Sequence, residues 1–206
     1  MPSVVDICNR ALSHTGTDQT IASLEEKSKE ARLCARWYEA ARDQLLRTFP
    51  WNFAQRRVAL ATLGDAPVGW DYQYRYPTDC LDMQNVYVEG NWFPGRKGND
   101  LNREPWTVSS TGDGGRVILT NMEQARATYT AKVTDPNLFP PDFVTALEFA
   151  LAANISMPLV NDPELSNWLY QRARGALDDA MAGNLGEAHD PDHPEAPWTL
   201  DRIGGE

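Results

Sequence analysis

The chain has 206 residues, a formal net charge of −10 and three cysteines. This length can build a sizeable hydrophobic core without cross-links, and three widely spaced cysteines without a CxxC pair indicate neither a disulfide framework nor a zinc site. The N-terminus lacks a signal-peptide pattern and no run approaches the ~18 apolar residues of a membrane span, so we expect a soluble protein made in a reducing cytoplasm.

The negative charge is concentrated toward the C-terminus. Residues 1–60 carry a net charge of +2, residues 61–138 of −3 and residues 139–206 of −9. Nucleic-acid affinity depends on Lys and Arg replacing counterions. The acidity therefore disfavours a protein that reads DNA sequence.

Two helices are predicted in the first 50 residues. Apolar residues at three-and-four spacing predict a helix over 3–15, ended by Gly16. A capping-box pattern of Ser23 and Glu26 predicts a second helix over 23–49. The apolar stripe of this second helix comprises Ala31, Cys34, Trp37, Tyr38, Ala41, Leu45 and Thr48.

Residues 51–138 have a β texture, because short β-branched and aromatic segments alternate with Gly and Pro. The glycines within 112–115 predict a hairpin turn and not a phosphate loop, since no Lys and helix follow. Alternation in the last strand places one set of side chains in the core and Thr128, Thr130 and Lys132 in water. The predicted strands are 71–76, 85–89, 107–110, 116–120 and 126–134.

Two further helices follow the β region. The segment 143–158 is apolar on most of its circumference, so it is buried either in its own bundle or against a neighbouring subunit. Asp162 and Pro163 open a fourth helix that ends near Gly183. Its predicted stripe comprises Leu165, Trp168, Leu169, Ala173, Ala176, Leu177 and Ala180.

This order of elements predicts a mainly α protein with a β insertion (α+β). A four-helix bundle, formed by residues 1–50 and 139–185, is interrupted by a small antiparallel β domain over 51–138. Residues 186–206 contain three prolines and six acidic side chains and cannot build a core alone. We expect them to form an extended C-terminal arm that needs a partner.

No sequence motif for a nucleotide, a zincin metal site or a nucleophile elbow is present, so neither catalytic residues nor a cofactor or metal is predicted. His14 is interpreted as a C-terminal helix cap. Asp79 and Cys80 could form a nucleophilic pair, but no His is near them in sequence. A last cluster is interpreted as a solvated charge run and not a metal site: His189, Asp190, Asp192 and His193.

Three segments together resemble a known family. They are the run 40–54, which contains Pro50-Trp51-Asn52-Phe53-Ala54, then Tyr76-Pro77-Thr78-Asp79-Cys80-Leu81, and then 129–143, which ends in Phe139-Pro140-Pro141-Asp142-Phe143. In this order they resemble the head-to-tail adaptors of tailed bacteriophages, the tail tubular protein A type of short-tailed phages. The resemblance covers roughly residues 3–182.

The resemblance implies a non-enzymatic virion protein at the head–tail junction. It implies a ring, dodecameric in this family, beneath the portal protein, which joins the capsid to the tail and continues the DNA channel. The implied partners are the portal, the next tail (nozzle) protein, other copies of the chain, and DNA that passes without specific binding; no membrane partner is implied. An acidic wall suits such a conduit because it offers no counterion release.

Candidate contact residues follow from position. Trp198, Leu200 and Ile203 in the arm are candidates for the portal or a neighbouring subunit. Trp92, Phe93 and Trp106 are candidates for the next tail component. Between subunits, the basic side chains of Arg36, Arg42 and Arg47 are candidates to meet Asp178 or Asp179.

Two alternatives stay open from the sequence. The first is another phage head-completion or tail-completion protein on a different fold. The second is a small hydrolase that uses Asp79, Cys80 or a carboxylate pair, and it requires a deep polar pocket with perturbed titratable groups.

Overall fold

The computed structural model describes residues 2–89, 104–112 and 114–187. Within these ranges it has four helices and two small antiparallel sheets, which confirms the α+β prediction. The helices are α1 (Val4–His14), α2 (Lys29–Thr48), α3 (Pro141–Val160) and α4 (Pro163–Gly186). The strands are β1 (Gln55–Ala59), β2 (Tyr72–Arg75), β3 (Cys80–Tyr87), β4 (Trp106–Ser110), β5 (Arg116–Thr120) and β6 (Arg126–Ala131).

The two N-terminal helices begin at serine caps. Ser3 caps α1 in a capping box with Asp6, as expected where a short polar side chain satisfies free N–H groups. The predicted start of the second helix at Ser23 was wrong, because α2 begins at Lys29 with the Ser28 hydroxyl as its cap. The Glu26 carboxylate instead accepts from the N–H groups of residues 22 and 23, which closes a turn before the helix.

Helix α3 is the centre of the helical part and packs against α1, α2 and α4. Its buried side chains lie on nearly every side, including Phe143, Leu147, Leu151 and Ile155. Of the two burial sites left open from the sequence, the structure shows the one inside its own bundle. By length and composition α3 could also cross a membrane, although the sequence was expected to contain no such segment. In the structure α3 is packed as a core helix.

Helix α4 follows α3 after a short turn. Asp162 caps it as predicted, accepting from two N–H groups, but the helix runs on to Gly186 and not Gly183. Its predicted stripe was wrong at Trp168, which is 52% exposed while Leu169 is fully buried. Trp37 of α2 is likewise at the surface, so neighbouring aromatics were not all core residues.

The β region forms two three-stranded antiparallel sheets, β1–β6–β3 and β2–β5–β4. Strand β1 was not predicted, and β3 begins at Cys80, earlier than expected, with two register shifts against β6. The hairpin predicted at 112–115 does join β4 and β5. A separate hydrophobic cluster, which includes Tyr74, Ile118 and Tyr129, lies in this region.

The prediction that one face of the last strand is wet was wrong. Strand β6 is the middle strand of its sheet, and both Thr128 and Thr130 are buried. The Gln84 amide donates to the Thr130 hydroxyl at 2.8 Å and accepts from the Gln55 amide at 3.0 Å. A covered polar layer therefore replaces the expected solvent-facing side.

Five aromatic rings join the two places where the chain enters and leaves the β region. Trp51 meets Phe143 edge to face at 5.1 Å between ring centres, and Phe53 meets both Phe139 (6.0 Å) and Phe143 (5.0 Å). Phe49 completes the group against Trp51. The Trp51 indole also donates to the Leu45 carbonyl at 2.9 Å, so the buried ring keeps its polar atom satisfied. We call these five residues the aromatic junction.

The end of α4 is fastened to the same junction. The Asn184 side chain accepts from the Asn52 N–H at 2.9 Å, and the Asn52 amide donates to the Asn184 carbonyl at 3.0 Å. This two-bond contact places the C-terminal end of α4 beside the short turn at Asn52–Ala54 that follows α2.

Trp51→Ala is expected to lower the free energy of unfolding by about 3–5 kcal/mol, because it empties a fully buried site and orphans the Leu45 carbonyl. Trp168→Ala removes the same side chain from an exposed site and should cost less than about 1 kcal/mol. Urea unfolding of both variants measures the difference. Equal losses would contradict the role given to the junction.

Candidate functional site

Five of the six apolar residues predicted to contact the portal, a neighbouring subunit or the next tail component lie outside the described part of the chain. These are Trp92 and Phe93 in the insertion and Trp198, Leu200 and Ile203 in the arm, together with the cluster over 189–193. Trp106 is described: it begins β4 and is half-buried against the β cluster. Part of the Trp106 side chain is therefore already packed in its own fold, and only the remaining exposed part is available to a partner.

The helical surface exposes several large apolar side chains, among them Trp168, which was predicted to lie in the core. Trp168 and Tyr170 lie on α4, and Met157 and Val160 lie on the last turns of α3. The two helices are antiparallel neighbours joined by Asn161 in the left-handed conformation, so these residues share one end of the bundle. An exposed aromatic at such a position is a typical anchor for a protein partner.

Arg42 does not belong to the contact surface proposed for it from the sequence. Its side chain is 3% exposed, and its Nε donates to Asp43 at 2.8 Å. Asp43 also holds the Lys132 ammonium at 3.0 Å, beyond the end of β6. Arg42 is therefore part of an internal ion-pair network that ties α2 to the sheet, where removing one partner leaves a buried charge.

The remaining exposed charges of α2 form one basic stripe. Lys29, Arg32, Arg36 and Arg47 are exposed and recur at helical spacing around Ala40. Among the described residues no carboxylate lies within ion-pair distance of the three arginines. We call these four residues the basic stripe.

The acidic candidates lie on a different helix. Asp178 and Asp179 are exposed in the second half of α4. Both helices pack on α3, so the chain presents a basic surface and an acidic surface on separate elements. Such a pair of unlike surfaces suits a head-to-tail contact between copies.

A buried carboxylate joins α1 to α3. Glu148 is 6% exposed, and it accepts from Arg10 Nη1 at 3.1 Å, with His14 Nε2 at 3.8 Å. Burial raises the pKa of Glu148, while the charges of Arg10 and His14 act in the opposite direction. Ionised Glu148 is therefore tolerated in the core because the Arg10 guanidinium faces it.

His14 has a role other than the predicted cap. It is the last residue of α1, but the Leu12 carbonyl accepts from the N–H and hydroxyl groups of Thr15, and the Ser13 carbonyl accepts from the Gly16 N–H. The imidazole ring instead stacks on Phe149 at 4.2 Å and faces Glu148. The Arg172 guanidinium of α4 lies 5.3 Å from the centre of the Phe149 ring. Phe149 is therefore contacted by side chains from both α1 and α4.

The Asp79–Cys80 pair lacks the setting of an activated nucleophile. The Asp79 carboxylate is occupied by Arg56 and by the Tyr129 hydroxyl, which donates at 2.9 Å. The Cys80 thiol contacts the Tyr76 hydroxyl, and burial raises the pKa of Cys80 to about 11. A nucleophilic thiol needs the opposite shift. A histidine that could act as the base for Cys80 would have to lie beside it, but His14, the histidine in the described ranges, contacts Glu148 and Phe149 instead.

Cys8 of α1 and Cys34 of α2 are far apart in the sequence, but they are neighbours in the folded chain. Both are buried and free, and the neighbouring Cys34 thiol together with burial raises the pKa of Cys8. The pair packs in the helical core. Helical spacing alone could not reveal this, because the two residues lie on different helices.

One groove on the bundle carries polar side chains. It encloses about 280 Å³ between α3 and α4 and is lined by Asp142, Thr145, Arg172, Ala176 and Asp179. In the described ranges no group of three or more His, Cys, Asp or Glu side chains is arranged to hold a metal ion. The groove is therefore an open surface feature, and one of its charged residues, Asp179, also belongs to the acidic surface of α4.

No protein-family model matches the chain, and no curated protein matches it. Its function is therefore inferred from its own residues, their contacts and the resemblance of its motifs.

Glu148→Gln should be at least as stable as the wild type near pH 8. Because the pKa of Glu148 is raised in the folded state, its ionisation costs folding free energy, and the wild type loses that part of its stability as pH rises through the raised pKa. The variant lacks this loss. Urea unfolding between about pH 4.5 and 8 measures it.

Arg10→Gln provides the opposing variant. It removes the cation that most lowers the pKa of Glu148, so its stability should fall more steeply with rising pH than that of the wild type. Identical pH profiles for all three proteins would contradict a buried, cation-compensated Glu148.

Proposed function

We propose that the chain is a structural subunit of a tailed bacteriophage, a head-to-tail adaptor that forms a ring beneath the portal protein. The ring joins the capsid to the tail and continues the DNA channel, and the subunit has no catalytic role. The partners are the portal, the next tail protein and other copies of the chain.

The observation that carries the proposal is the packing of the motifs with which the chain resembles the adaptor family. The run that ends in Pro50-Trp51-Asn52-Phe53-Ala54 and the run Phe139-Pro140-Pro141-Asp142-Phe143 contact each other in the aromatic junction. Tyr129 of the third segment hydrogen-bonds Asp79 of the Tyr-Pro-Thr-Asp-Cys segment. The resemblance thus corresponds to one connected piece of structure and not to scattered matches.

The distribution of charge supports self-association into a ring. A closed ring needs two different surfaces on each subunit, one for each neighbour. The basic stripe of α2 and Asp178 with Asp179 on α4 are two such surfaces, with Arg36 and Arg47 as the contacts and Arg42 withdrawn into the interior. Since exposed ion pairs are each worth about 0–1 kcal/mol, they would set register while apolar residues such as Trp168 supply affinity.

The same charge asymmetry supports the conduit. The last third of the chain carries a net charge of −9, which offers DNA no counterion release. DNA could therefore slide past without being held.

Negative-stain electron microscopy of the chain mixed with portal rings should show an added ring on the portal. Asp178→Arg with Asp179→Arg should prevent the added ring, and combining it with Arg36→Asp and Arg47→Asp should restore it, because the charges are exchanged across the contact. Glu164→Arg, which reverses an exposed acid about 21 Å along α4 from Asp178, is the control and should leave the ring unchanged. Portals that remain bare with the wild-type chain would overturn the proposal.

Deletion of residues 187–206 is expected to leave the fold intact and weaken portal binding. The described core ends before this segment, and Trp198 is its strongest candidate anchor. Trp198→Ala alone should reproduce most of the loss, whereas Thr199→Ala should not. Portal affinity can be measured by sedimentation of the mixed proteins, and an unchanged affinity after the deletion would remove the arm from the binding site.

A further inference from the structure

The basic stripe of α2 is an uncompensated positive surface on an acidic protein. Its three arginines have no carboxylate partner among the described residues, and Lys29 donates to the Leu159 carbonyl. The two nearby carboxylates of α2 are engaged elsewhere: Asp43 with Arg42 and Lys132, and Glu39 at 3.9 Å from Lys132. Trp37 lies half-exposed on the same helix. The stripe therefore offers cations and an aromatic ring together.

The chain itself contains a segment of complementary chemistry. Residues 188–206 contain five acidic side chains and one Arg, and they also contain Trp198, Leu200 and Ile203. Acidic groups interspersed with a few apolar ones match a stripe of cations beside an aromatic ring.

The fold places the start of this segment at one end of the stripe. Asn184, close to the end of α4, is hydrogen-bonded to Asn52, which lies four residues after the end of α2. Arg47 is in the last turn of α2. The segment therefore leaves the described structure close to Arg47.

The reach of the segment is sufficient to follow the stripe. From Lys29 to Arg47 the helix rises by about 27 Å at ~1.5 Å per residue. An extended chain covers about 3.3 Å per residue, so the acidic segment can span up to about 60 Å. Fewer than half of its residues are needed to follow the stripe from end to end.

We propose that residues 188–206 bind the basic stripe of the same chain, with their carboxylates on Arg32, Arg36 and Arg47 and their apolar side chains against Trp37. Tethering beside Arg47 gives the segment an effective concentration of about millimolar at the stripe. Each exposed ion pair is weak and screened by salt. The contact is therefore formed in the free chain and readily exchanged for a stronger partner.

This contact deepens the proposed function, and that consequence rests on it. A segment that covers the stripe keeps Arg36 and Arg47 from the acidic surface of a second copy. The intramolecular contact itself needs no portal and can be tested on the free chain.

Paramagnetic relaxation in the full-length chain tests the contact. A nitroxide is attached at Thr199→Cys; Cys8, Cys34 and Cys80 are buried and at most 7% exposed, so the label goes to the new thiol. Amide signals on the outward side of α2 should lose at least about half their intensity at about 0.05 M salt and recover at about 0.5 M, where the screening length is a few ångströms.

Matched variants and a mixing experiment decide the outcome. Arg36→Glu should abolish the signal loss, while Arg174→Glu, an exposed helical arginine on α4, should leave it unchanged. Isotope-labelled chain without nitroxide, mixed with unlabelled chain that carries it, should show no loss on α2. Loss only in the mixed sample would mean that the segment binds another copy, and no loss in any sample would mean that it leaves the stripe open; either result overturns the proposal.

Discussion

The aromatic junction is the contact on which the rest of the structure depends. The helical part and the sheet region have separate hydrophobic clusters. The chain leaves the helical part after α2 and returns to it at α3, so the positions of both connections must be fixed. Trp51 and Phe143 fix them against each other by edge-to-face packing, with the indole nitrogen satisfied by the carbonyl of Leu45. Such rings contribute buried area and a defined orientation together. The two Asn residues at positions 52 and 184 then add the end of α4 to the same point.

The sequence was sufficient for the number and type of helices and for the α+β class, because strong periodicity and turn residues act locally. It was insufficient wherever a second element decides. Thr128 and Thr130 look solvent-facing by alternation, yet their strand lies between two others, and the Gln84 amide covers the Thr130 hydroxyl. Ser23 fits a cap, but the nearby Glu26 carboxylate closes a turn there instead. The first error is a tertiary contact overriding a local preference, and the second is one local hydrogen-bond pattern replacing another.

The same limit applies to charge at the candidate contact surfaces. Arg42 and Arg36 look equivalent in the sequence, since both are helical arginines six residues apart. In the fold, Arg42 is buried with Asp43 and Lys132, whereas Arg36 remains in solvent. Charge counts locate the negative charge in the C-terminal third. They cannot separate cations that are buried in the fold from cations that are exposed to a partner. Only the position of the sheet against α2 makes that distinction.

The side-by-side crossings at residues 51–53 and 139–143 also bear on how such a chain can diversify. An insertion whose two ends are held together by the host domain can change in length and sequence without moving the helices that frame it. Loops and strands of the β region would then be free to follow a changing partner, while selection on the five rings would stay strict. The aromatic junction would stay the same, while β regions of different length and sequence could evolve between the same helices.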